Sequence, residues 1–266
     1  MSARKSNILT GVQLSLFDDI QNNYSFSSRE MLIDFDGVKI ADDEKKKSEP
    51  QKKVVINSTI ESAIRHIIDE KLCKNVDFSD LPVSVANMAL NSLRDFRSTF
   101  PKVPLLDFVG GYRGFRLMSA SQGPHHKVGS KYAKMFTRYS PIDKKFFVVI
   151  NPRCYGRNSS EEPPSDDGFH PPLCNTIKSD FEHELGHVLD FSLNAYNDRE
   201  IRGLFRKLRK SKSVASKLSE YADENTREFI AEAWSEYCNS PTPREVACTV
   251  ATRIYELYAQ KYKLTP

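Results

Sequence analysis

From residue 54 onward, apolar residues fall at intervals that match regular secondary structure. In "NSTIESAIRHIIDEKL", Ile60, Ile64, Ile67 and Ile68 recur at helical spacing, and Ser58 followed by Glu61 has the spacing of a capping box. A second helix is predicted from Pro82 to Phe96, with Val83, Val85, Met88, Leu90 and Leu93 as its apolar positions. "VPLLDFVGGYRGFRLMSA" predicts a strand, a glycine turn and a strand, and "KKFFVVINPR" a strand ended by Asn-Pro. Residues 156–174 are polar and proline-rich, a loop pattern. Four helices follow, near 176–195, 198–211, 226–239 and 243–261. Helix, then strands, then helices predicts an α+β fold rather than alternating βαβ units.

The first 53 residues differ. They end in "ADDEKKKSEPQKK", a charged run without apolar periodicity, which predicts a flexible tail over 1–53 ahead of one domain over 54–266. A chain of 266 residues with 39% hydrophobic residues suits one such domain. No run of eighteen apolar residues and no secretory leader pattern occurs, so a cytoplasmic protein without a membrane partner is expected. Delivery elsewhere as a toxin stays open. Five widely spaced cysteines, with no CxxC pair, argue against a disulfide framework and against a cysteine zinc site. A net charge of +4 does not by itself point to nucleic acid.

The stretch that bears chemistry is "SDFEHELGHVLDF". On a helix, His183 and His187 stand one turn apart and share a face, so both imidazoles can reach one zinc ion. Glu184 lies beside that face and can reach a water on the ion without being a ligand, which is the mechanical content of the HExxH motif. Gly186 costs a helix roughly 1 kcal/mol against alanine, so a close approach is expected there. Histidines on a buried helix can also be ordinary core or capping residues. At average glutamate usage, a chain with six histidines shows HExxH by chance about once in a hundred sequences, so a third ligand must decide.

That ligand is sought in "ENTREFIAEAWSEY", where Asn225 or Thr226 can cap a helix. Glu228 and Glu232 share its face, with Ser235 and Glu236 nearby, and the residues between them are apolar or small. Acidic neighbours repel unless a cation offsets them. A solvated acidic face is the plainer reading, but this helix looks buried, and buried unpaired carboxylates are expensive.

"HELGHVLD" followed by "SEYADENTREFIAEAW" resembles the anthrax lethal factor-like zinc metallopeptidases, including their toxin-like and phage-encoded relatives. The resemblance is specific over residues 181–237, architectural over 54–180, and does not reach 1–53. It implies a zincin-like domain, with a small sheet packed on the HExxH helix and a mostly helical C-terminal half. It implies one zinc ion held by His183, His187 and Glu228, with Glu184 as general base. Tyr221, seven positions before Glu228, takes the place of the family's catalytic tyrosine. Glu232 would orient a ligand histidine. The implied activity is that of a gluzincin endopeptidase acting on a protein or peptide, and an extended substrate would pair with an edge strand; Phe146–Asn151 is either that strand or an ordinary central one.

Other positions admit two readings. Asp190 can support the ligands or decorate a helix surface. His66 suits a half-buried helix position, and His125 and His126 a surface loop. His170 lies in the proline-rich loop, where it is either a loop residue or part of a flap over the cleft. Basic residues between Arg199 and Lys217 suit a solvated helix face, with Leu204, Phe205 and Leu208 turned inward, or a polyanion surface. In the tail, Gln13, Leu14, Leu16 and Phe17 belong to "QLSLF", which resembles the peptides that bind bacterial sliding clamps. The rival to the peptidase is therefore a DNA-associated binding module recruited through that peptide, with zinc absent or structural. A peptidase that cuts its own chain is a further possibility.

Overall fold

A computed structural model describes residues 54–120, 133–155 and 168–264. The chain divides into two units: residues 1–56 with Pro266, of which only 54–56 are described, and residues 57–265. The tail peptide, His125 and His126 lie outside the described residues.

The second unit is α+β. It opens with helix α1 (Ile60–Asp69), then strand β1 (Val76–Asp77), helix α2 (Val83–Thr99), strand β2 (Phe108–Gly111) and helix α3 (Tyr112–Ala120). Strands β3 (Met135–Ser140) and β4 (Lys145–Ile150) follow. The remainder is helical: α4 (Ile177–Leu193), α5 (Arg199–Lys210), the short α6 (Val214–Lys217), α7 (Thr226–Asn239) and α8 (Glu245–Tyr262), with single 3-10 turns at Ala195–Asn197 and Tyr221–Asp223.

The strands form one mixed sheet in the order β1-β2-β4-β3. β1, β2 and β4 are parallel, and β3 runs antiparallel to β4. The segment Phe146–Asn151 therefore lies mostly on an interior strand, paired on both sides, and is not the edge. Phe146, Phe147, Val148, Val149 and Ile150 are all buried, as a strand covered on both faces requires. Among the described residues the edge beside α4 is β3. Its Thr137 hydroxyl donates to the Glu184 carbonyl at 2.9 Å, and its Tyr139 ring stacks on Phe191 of α4 at 5.1 Å.

Three other local expectations shift. The cap of α1 is Thr59, whose hydroxyl accepts from the Ser62 N–H, one residue past Ser58. The "GG" at 110–111 does not turn the chain. It ends β2, and helix α3 follows at once in place of the expected second strand. A side chain at Gly110 would collide with the Asp77 carbonyl, and one at Gly111 with the Asp80 carboxylate, so these glycines serve close approach. On α5, Ile201 and Phe205 are the fully buried positions, while Leu204 and Leu208 are half-buried.

The core between α4 and the helices behind it is aromatic. Phe100 contacts Trp234, Tyr255 and Tyr258 with ring centroids 5.0–5.5 Å apart. Helix α4 is buried on almost every face, including Phe181, Leu185, Val188 and Leu189. Its start carries a capping box between Thr176 and Ser179, and Asn194 ends it in the left-handed conformation. None of the five cysteines forms a disulfide. Among the described residues no helix is long and apolar enough to cross a membrane.

Candidate metal centre

Helices α4 and α7 pack closely enough to share one cluster of side chains. The contact depends on Gly186: a Cβ there would stand 2.9 Å from the Ala231 Cα and 3.2 Å from the Trp234 Cβ. The close approach expected between the two histidines is thus the backbone of α7. The Ser235 hydroxyl adds a bond to the Ser179 carbonyl at 2.8 Å. The start of α7 is fixed separately. Asn225 caps it, accepting from the Arg227 and Glu228 N–H groups at 2.9 and 3.2 Å. The Arg227 guanidinium lies over Phe191 at 4.2 Å and over Tyr196 at 4.0 Å, and reaches the fully buried Asp190 at 3.1 Å. Asp190 also accepts from the Tyr196 N–H at 2.6 Å. It therefore ties the end of α4 to the start of α7.

This packing brings three ligand atoms together. His183 Nε2 and His187 Nε2 are 3.1 Å apart, and Glu228 Oε2 is 3.2 Å from each. A tetrahedral zinc ion with ligands at about 2.0–2.1 Å would hold its ligand atoms roughly 3.3 Å apart, so the triangle has the size of one coordination face. Glu228 Oε2 is buried, yet no hydrogen bond of sound geometry reaches it, as expected when three atoms aim at a common point. These residues form a group able to hold a metal ion.

The atoms around the triangle fit a cation as well. Glu184 is buried and its Oε2 has no hydrogen-bond partner. Glu232 is 1% exposed and accepts from His183 Nδ1 at 2.7 Å and from the Ser219 hydroxyl at 2.9 Å. Burial alone would raise the Glu232 carboxyl, but bonds from His170 and His183 bring it down to about 2. An ionised carboxylate only accepts, so His183 Nδ1 carries a proton, and Nε2 is the nitrogen that would offer a lone pair to a metal on losing its own. Burial also works to raise Glu228, and the two imidazoles outweigh it and hold Glu228 below the usual carboxylate range. Burial works against a charged His183, and Glu228, Glu232 and Glu184 overcome it, leaving His183 well above its ordinary value. The buried Glu184 and Glu232 and the half-buried Glu228 surround the two imidazoles, and buried charge is paired or binds metal.

Tyr221 lies on the 3-10 turn before α7. Its ring stacks on His183 with centroids 5.7 Å apart and planes at 21°. Burial first, then Glu228, Glu224, Glu184 and Glu232, push its phenol above the ordinary value. His170, by contrast, is a member of the cluster: its Nδ1 is 3.3 Å from Glu232. No local sequence pattern links a histidine to a carboxylate 62 positions away. The sequence also gave no sign of Ser219 or Arg227, which act through bonds that form only in the folded chain. His66 is half-buried on α1, as expected.

No protein-family model matches this chain, and no curated protein is significantly similar to it.

Proposed function

We propose that the protein is a zinc-dependent endopeptidase of the gluzincin type, built on a zincin-like domain. The observation that carries this reading is the convergence of His183 Nε2, His187 Nε2 and Glu228 Oε2 within 3.1–3.2 Å of one another. His183, His187 and Glu228 would hold the metal. Bound there, zinc would polarise a peptide carbonyl and lower the pKa of a water at its open position.

The remaining groups have roles that follow from their chemistry. Glu184 is one residue from His183, and its unpartnered Oε2 is available to take a proton from the attacking water and return it to the leaving amine. Its backbone is fixed by Thr137 of the edge strand, so its approach is preset. The Tyr221 phenol stays protonated at neutral pH and donates to the oxyanion that develops on the carbonyl. Glu232 orients His183 through Nδ1. The strand to which an extended peptide would add is β3, the edge beside α4, so backbone pairing would lay the substrate along the zinc helix.

The test is Glu184→Gln in the full chain. Zinc content should stay at about one per chain, because the ligands are untouched. Cleavage, read from new protein termini by mass spectrometry, should fall roughly 10²–10⁴-fold. A variant that cuts as well as the parent would overturn the assignment of the base. Purified protein that takes up no zinc would overturn the class. Intact masses of the parent and Glu184→Gln chains show whether the protein cuts itself.

A further inference from the structure

Beside the metal centre runs a segment that this chemistry leaves unused. Gly168, Phe169 and His170 lie against the turn that carries Tyr221. The Glu220 N–H donates to the Gly168 carbonyl at 2.9 Å, and the Tyr221 N–H to the Phe169 carbonyl at 3.1 Å. Phe169 stacks on Tyr221 with centroids 5.3 Å apart and planes at 23°, and Tyr221 in turn stacks on His183. His170 Nδ1 faces both oxygens of Glu232, at 3.3 and 3.4 Å.

We propose that Gly168–His170 is a positioning strap for the metal centre, with His170 as the positioning residue that completes the hydrogen bonding of Glu232. The inference rests on the reading of His183, His187 and Glu228 as zinc ligands. The strap holds two parts of the site at once: His183 through Glu232, and Tyr221 through Phe169 and the two backbone bonds.

Burying the Glu232 carboxylate is costly. At 1% exposure its two oxygens have no access to bulk water, so its charge must be met by protein donors. His183 supplies Oε1 and Ser219 supplies Oε2. His170 lies across both oxygens, and as Glu232 can only accept, His170 Nδ1 donates. Without that third donor the carboxylate is free to turn, which weakens its hold on His183 Nδ1. The Nδ1 bond sets the tautomer and the ring direction of the ligand, so the loss is passed to the metal. His170 is not an incidental surface histidine: its side chain is only 18% exposed.

The experiment measures zinc affinity by chelator competition for the parent, His170→Ala, His170→Asn and Glu232→Gln, with circular dichroism to check folding. Cobalt-loaded protein adds an absorption spectrum that reports ligand geometry without any substrate. His170→Ala should bind zinc about tenfold more weakly and shift the cobalt spectrum, in line with losses of 10–100-fold on removing partners of metal ligands. His170→Asn keeps an N–H donor on a short side chain, and should recover to within about threefold of the parent. If His170→Ala does not fold, His170→Asn decides: near-parental affinity supports the strap, and affinity as weak as that of Glu232→Gln overturns it. Parental affinity in His170→Ala, alongside a clear loss in Glu232→Gln, overturns the strap and leaves the peptidase intact. A parent chain that binds no zinc sinks both.

Discussion

Gly186 shows how much one missing side chain can decide. It lies between the two histidines, where its intrinsic effect on the helix is unfavourable by roughly 1 kcal/mol. Alanine would recover that amount only if the space existed. It does not, since the new Cβ would meet the Ala231 Cα at 2.9 Å. Overpacking a core typically costs about 1–3 kcal/mol, and the obstacle here is backbone, which yields less than a side chain. Gly186→Ala is therefore expected to lower stability by about 1–2 kcal/mol in denaturant melts and to weaken zinc binding, because α7 carries Glu228 and must move outward. A variant as stable as the parent, with unchanged zinc affinity, would show that α4 and α7 can separate freely. The sequence made Gly186 conspicuous as a misfit in a helix but did not say which element approached it. The same limit applies to His170, whose partner lies far along the chain. That His183 and His187 share a face was legible because helical periodicity is a local property, whereas Glu228 was singled out from Glu232 only by the family resemblance.

At the level of elements, the longer helices of the C-terminal half were legible from apolar periodicity, helped ahead of α7 by the cap Asn225. The edge strand was not legible. "MFTRYS" alternates weakly, and its half-buried positions are covered partly by α4, not by a regular face. Helix α3 was hidden by Gly110, Gly111 and Gly114, which read as turn residues although neighbouring atoms of Asp77 and Asp80 exclude a side chain at each. The cap of α5 yields a pH prediction. Asp198 accepts from the Glu200 and Ile201 N–H groups and pairs with Arg253 of α8 at 2.9 Å. Burial tends to raise its carboxyl, but Arg253 and the two backbone donors outweigh burial and hold it below its ordinary value. The unfolded chain returns it to about 3.9, so the folded state binds this proton less readily. The stabilisation is complete above that value and is lost as pH falls through the lower folded one. Asp198→Asn keeps the cap acceptor and loses the ion pair. It should melt below the parent at pH 7, with the gap closing as pH falls below about 4. A gap that stays constant over that range would assign the effect to packing alone.

For the molecule as a whole, the proposed metal centre and its surroundings join segments that are separate in sequence: the strap, α4, the Tyr221 turn and α7. An ion held by His183 and His187 of α4 and Glu228 of α7 can bind only the folded chain tightly, so its binding free energy adds to stability. At a free zinc concentration a thousandfold above Kd the gain is about 4 kcal/mol. For a folded unit of this size each kcal/mol moves Tm by roughly 2–4 °C, so zinc should raise the Tm of chelator-treated protein by about 8–16 °C. Magnesium should do nothing comparable, because it demands an octahedral shell of oxygen ligands, and two imidazoles with one carboxylate do not supply it. Glu228→Ala removes one corner of the triangle and leaves both histidines, so its response to zinc should shrink to a small fraction of the parental one. A purely structural cluster of histidines and carboxylates makes the opposite forecast. Its stability would be indifferent to chelator and zinc in both chains, and a melt series across metals and concentrations separates the two cases without any knowledge of the substrate.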